Sequence, residues 1–187
     1  MRRKKDFNNL SEDALLKIVE EDGSNIKYID NPSEKVIKTS LKTYGKAIRF
    51  IDNPTEEEKL IAVRQSGYAI LHIDNPTEEL QIEAIKENNC AIQYIINPSE
   101  KIQLFAVNEN PSAILDIMYP TEAVQLVALK QSKMLLFQMH NVSEKVKLEL
   151  ERYEKMEFEI RNNELNSKSF IASILSFFKK IIEKVKS

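Results

Sequence analysis

The segment TEEEKLIAVRQSGYAILHIDNP at residues 55–76 is followed at once by TEELQIEAIKENNCAIQYIINP at 77–98, one 22-residue pattern written twice. A fixed period of this length constrains a fold more than any single motif, because every copy must adopt the same supersecondary unit. The register holds along most of the chain. Ser11, Ser33, Thr55, Thr77, Ser99, Thr121 and Ser143 stand 22 residues apart, and a glutamate follows each of them. Pro32, Pro54, Pro76, Pro98 and Pro120 come immediately before five of these positions, and Val142 stands where the next proline is due.

A hydroxyl residue followed by an acid starts a helix. The side-chain oxygen accepts a hydrogen bond from a free backbone N–H, and the carboxylate sits at the positive end of the helix dipole. Thr55 with Glu58 spells the full capping box. Two apolar columns follow: Leu60, Ile82, Leu104, Leu126 and Leu148, and then Val19, Leu41, Val63, Ile85, Val107 and Leu129. Between them run the small residues Ala62, Ala84, Ala106 and Ala128. This spacing predicts a helix of about eleven residues with one buried face. Gly23, Gly45, Gly67 and Asn89 come just past its end, where a left-handed cap residue is expected. A second, shorter helix carries Ile26, Ile48, Ile70, Ile92 and Ile114, then Ile29, Ile51, Ile73, Ile95 and Ile117, before an Asn-Pro turn closes the unit.

So small a unit cannot bury its isoleucines alone, so neighbours must stack and the core must run through the array. The expectation is an all-α fold, a right-handed α-solenoid of about six to seven two-helix repeats over residues 11–160. A basic lead-in at 1–10 precedes it, and a linker at 161–167 joins it to an amphipathic helix at 168–187. At 187 residues there is room for one array and little for a second independent domain. The Ala-rich first helix, the Gly or Asn turn, the short second helix and the closing Asn-Pro resemble the leucine-rich-repeat-variant and HEAT-like groups of bacterial and phage proteins. That resemblance implies a binding scaffold and carries over no catalytic residue.

The totals narrow the function classes. Apolar residues at 42% and charged residues at 30% are the mixture of a folded protein rather than a disordered tail. A formal net charge of -2 supplies no global field for nucleic acid. Cys90 is the only cysteine, which excludes an internal disulfide and fits a reducing compartment, with the cytoplasm expected. MRRKKDFNNL is not followed by the apolar run of a secretory signal, and FIASILSFF at 170–178 is far shorter than the roughly 20 apolar residues of a membrane-spanning helix. His72, Cys90 and His140 fall in different columns and share neither a metal-ligand spacing nor a nucleophile–base arrangement. No enzyme, metal or cofactor is expected.

Four sets of residues are candidates for contact with a partner. The basic column Lys42, Arg64, Lys86, Lys130 and Arg152 could track phosphates. Cations at the negative end of a helix also serve its dipole, which is the favoured reading, so nucleic acid is the lesser alternative. The column Tyr28, Phe50, His72 and Tyr94 could line a groove or seal one helix against the next, and both readings stay open. Ile96, Met118 and Tyr119 replace the polar turn residues of earlier repeats and form the preferred partner patch, with burial under the tail as the alternative. In the tail, Phe170, Ile174, Phe178, Ile181 and Val185 form an apolar stripe opposite several lysines. Such a helix could cap the array, meet a protein partner or a second copy, or lie on an anionic membrane. The expected function is a non-enzymatic scaffold or steric inhibitor of another protein, in keeping with a phage or mobile-element anti-defence role. A peripheral membrane protein and a nucleic-acid binder are the alternatives.

Overall fold

The computed structural model describes Phe7, residues 9–162 and Ser176. All regular structure among these residues is helical. The chain divides into two compact units, one up to Pro120 and one from Thr121. In the first, α-helices alternate with 3-10 helices: α1 (Glu12–Glu21), η1 (Gly23–Tyr28), α2 (Glu34–Thr43), η2 (Gly45–Phe50), α3 (Glu56–Gln65), η3 (Gly67–His72), α4 (Glu78–Glu87), η4 (Asn89–Tyr94), α5 (Glu100–Glu109) and η5 (Pro111–Asp116). Each α-helix packs on the next and each 3-10 helix on its neighbour, so this unit is a solenoid of helix pairs. The second unit holds α6 (Glu122–Gln131), η6 (Lys133–Phe137) and α7 (Glu144–Asn162).

The caps form as the hydroxyl column requires. Ser11, Ser33, Thr55, Thr77 and Thr121 each accept a hydrogen bond from the backbone N–H three residues on. In α3 the box is complete, with the Thr55 N–H donating to Glu58 Oε2 at 2.8 Å. Ser99 makes no such cap bond and instead donates to Glu78 Oε1 of the preceding repeat at 3.0 Å. Ser33 and Ser143 donate in the same way to Glu12 and Glu122, tying one helix start to the next.

The glycines do a different job from the one expected of them. No glycine has a positive φ; Gly23, Gly45 and Gly67 open the 3-10 helices, and the residue before each is extended. A Cβ at these positions would collide with the backbone carbonyl of Ser40, Ala62 or Ala84 in the next repeat. The glycine and small-residue columns are therefore the two halves of one close contact between repeats. Asn89 occupies the fourth such place, and its Nδ2 donates to the Ala106 carbonyl at 3.0 Å. The left-handed residues are Asn31, Asn53, Asn75 and Asn97, in the closing turn.

The core also shifts by a column. Val19, Leu41, Val63, Ile85, Val107 and Leu129 are fully buried, as are Ala62, Ala84, Ala106 and Ala128 and the isoleucines of the 3-10 helices. Leu60, Ile82, Leu104 and Leu126, expected in the core, are only half-buried, and Leu148 is exposed. The buried partners are instead Val36, Leu80, Ile102, Val124 and Val146, with Glu58 at 5% exposure in the same column. These stand four residues before the small column and five before the valine column, which puts all three on one helical face; the Leu60 column stands two before and is rotated away. In the second unit, KVKLELERYEKMEFEI is helical, with Val146 and Leu150 buried.

Candidate interaction surface

The column Tyr28, Phe50, His72 and Tyr94 supplies the last residue of η1, η2, η3 and η4. In a 3-10 helix residues three apart eclipse, so Ile26 and Ile29 both face the core, and Tyr28 between them is left half-buried at its margin. The other three rings sit the same way. Tyr28 meets the edge of Phe7 with centroids 6.1 Å apart, and Tyr94 meets Tyr68 at 5.6 Å.

Three cations lie over rings of this row or over Tyr68 beside it. Lys27 Nζ is 4.9 Å from the Tyr28 centroid and 5.8 Å from that of Phe50. The Arg49 guanidinium is 4.5 Å from Phe50, and Lys46 Nζ is 4.7 Å from Tyr68. Such contacts hold the charge against a ring while leaving its donors toward water. Among the described residues, Lys27, Lys46 and Arg49 form no ion pair with a carboxylate. Burial, followed by the charges of Arg49 and Lys46, holds the His72 imidazole below its ordinary value of 6.5. Arg49, Asp52, Asn53 and Pro54 of one repeat and His72 and Asp74 of the next line a groove at the same place.

The face carrying the α-helices is different. Lys38 Nζ is 2.8 Å from Glu57 of the following repeat, and Lys101 Nζ is 2.6 Å from Glu78 of the preceding one. Within the basic column, Arg64 Nε and Lys86 Nζ share Glu83 at 2.7 and 2.9 Å, and Lys86 first and Arg64 second hold its carboxyl below the usual range. Lys130 is half-buried over the Tyr153 ring at 4.7 Å, and burial pushes its ammonium down. Arg152 pairs with Glu149 at 2.8 Å, and Lys42 is exposed. Most of this column is thus engaged by side chains of the protein itself.

Ile96, Met118 and Tyr119 are 89%, 81% and 76% exposed, in the turns after η4 and η5. Phe170, Ile174, Phe178, Ile181 and Val185 lie outside the described residues. Among those described, no helix is long and apolar enough to cross a membrane, and no cluster of three His, Cys, Asp or Glu could hold a metal. Cys90 is an exposed free thiol on η4.

Sequence reasoning missed Lys27, Lys46, Arg49 and Tyr68. Lys27 and Arg49 share a column that continues as Leu71 and Gln93, and Lys46 and Tyr68 share one that holds Ser24 and Cys90 in other repeats, so neither column is basic or aromatic throughout. Only the stacking of repeats brings a cation of one onto a ring of the next. Compared with known proteins, the chain matches no family model, no curated protein and no solved structure.

Proposed function

We propose that the protein is a non-enzymatic interaction scaffold, a helical repeat of the leucine-rich-repeat-variant or HEAT-like type from a bacterial or phage source, acting in the cytoplasm. It grips another protein along the face of its 3-10 helices and acts by steric block or bridging. One observation carries this reading. The cations of η1 and η2 rest on aromatic rings with no carboxylate partner among the described residues, whereas those of the α-helical face are largely paired with acids. Half-buried rings with overlying cations offer a rigid surface of large contact area, the composition of an interface hot spot. A preformed surface also loses little entropy on binding. The exposed Ile96, Met118 and Tyr119 extend the same surface into the turns after η4 and η5.

The exposed thiol of Cys90 allows a direct test, because it occupies the column of Lys46 and Tyr68. A photo-crosslinker attached there, in cells that make the protein, is expected to trap a protein partner. The same label on a Lys35→Cys, Cys90→Ser variant, placed on exposed α2, is expected to trap much less. Equal or stronger trapping from the α2 position overturns the assignment of the face.

A further inference from the structure

The surface formed by η1, η2 and η3 has a chemistry that narrows its ligand. We propose that it binds a segment of a partner protein in the polyproline II conformation that carries a carboxylate side chain at about every third residue. This inference rests on the 3-10 face being the binding face and goes on to name what binds it.

Charge complementarity comes first. Lys27 and Arg49 occupy equivalent positions in successive repeats, Lys46 lies between them in sequence, and all three keep donors unengaged by any carboxylate among the described residues. Spacing comes second. Packed helical elements lie roughly 8 to 10 Å apart, and a polyproline II chain rises about 3.1 Å per residue with three residues per turn, so that every third side chain returns to the same side. A segment running along the stacked repeats therefore advances about three residues between Lys27 and Arg49. Two spacer residues between acids bring one carboxylate to Lys27 and the next to Arg49.

The same surface suits a nucleic-acid strand poorly. Stacking of bases needs open ring faces, and Tyr28, Phe50 and Tyr68 each already carry a cation over one face. Exposed Asp52 and Asp74 stand in the adjoining turns, where a continuous row of phosphates would be repelled. An acid at every third residue leaves gaps for them.

The test is a titration of the full-length, isotopically labelled protein followed by amide chemical shifts. The probe is a nonapeptide with glutamate at its first, fourth and seventh positions and Gly-Ser spacers. Two comparison ligands are its isomer with the three glutamates contiguous and a nine-nucleotide oligothymidine. The expected result is saturable shifts confined to η1, η2 and η3, weaker for the contiguous isomer and for the oligonucleotide. Neutralising Lys27 and Arg49 together (K27Q/R49Q), with the far-ultraviolet spectrum unchanged, is expected to weaken binding about tenfold or more, since one charge-assisted hydrogen bond is worth that much. Absence of shifts, equal response to the isomer, or stronger response to the oligonucleotide overturns the proposal. If Cys90 crosslinking still traps a protein in that event, the face stands and only the acidic segment falls.

Discussion

Asn31, Asn53, Asn75 and Asn97 hold φ between 47° and 51°, a region that costs most L-residues roughly 1–2 kcal/mol. Asparagine tolerates it and glycine is indifferent to it. Replacing Asn75 by alanine is therefore expected to lower unfolding free energy by about 1 kcal/mol in urea titration, while Asn75→Gly leaves it nearly unchanged. Gly67 answers to a different constraint, the Ala84 carbonyl against its α-carbon. Gly67→Ala forces two repeats apart and should cost about 1–3 kcal/mol, the range of overpacking. His72 gives a pH signature. The unfolded chain protonates this residue as pH falls through about 6.5, whereas burial, Arg49 and Lys46 keep the native imidazole neutral to lower pH. The native state thus loses stability as pH falls through that window. Comparing the pH dependence of unfolding with that of His72→Gln isolates it, and the variant should show the smaller loss between neutral and mildly acid pH.

An element of ten residues is too short to be helical by propensity alone, so each α-helix depends on its cap and on its neighbour. Thr77 accepts from the Leu80 N–H at 3.3 Å, and Thr77→Ala should destabilise by about 1 kcal/mol. Ser99 caps nothing and only donates to Glu78 at its exposed margin, so Ser99→Ala should cost distinctly less in the same denaturant titration. Equal losses would mean that the hydroxyl column acts through the inter-repeat bond rather than through the cap. Two of the 3-10 helices follow the same logic at closer range: Gly45 and Gly67 donate their N–H groups to Gln65 and Glu87 of the next repeat, so η2 and η3 are capped by their neighbours, whereas Asp22, Asn88 and Asn110 cap η1, η4 and η5 from within the repeat.

Across the molecule, stability is a sum of repeat terms and nearest-neighbour terms. Removing residues 55–76 as one whole period preserves every interface type in the first unit, because α2 then meets a helix of the same pattern. That variant should keep a helical far-ultraviolet spectrum with a lower denaturation midpoint. Removing only residues 55–65 leaves η3 without its α-helix and breaks the register, and should abolish cooperative unfolding. The division of the chain after Pro120 falls where the pattern itself changes: Tyr119 stands in the asparagine column and is not among the left-handed residues.

The period, the helical class, the caps and the valine, alanine and isoleucine core columns were all legible from the order of residues. They depend on contacts within a few residues of each other or on a face defined by helical spacing. Two readings went astray for a common reason. Whether Gly67 turns the chain or admits a neighbouring carbonyl, and whether the Leu60 column or the Val36 column is the buried one, depends on where the next repeat sits. The cations on the Tyr28, Phe50 and Tyr68 rings are the clearest case. Lys27 and Tyr28, like Arg49 and Phe50, are neighbours in the chain and share a column, whereas only stacking brings Lys27 near Phe50 and Lys46 over Tyr68, because these contacts join residues of different repeats.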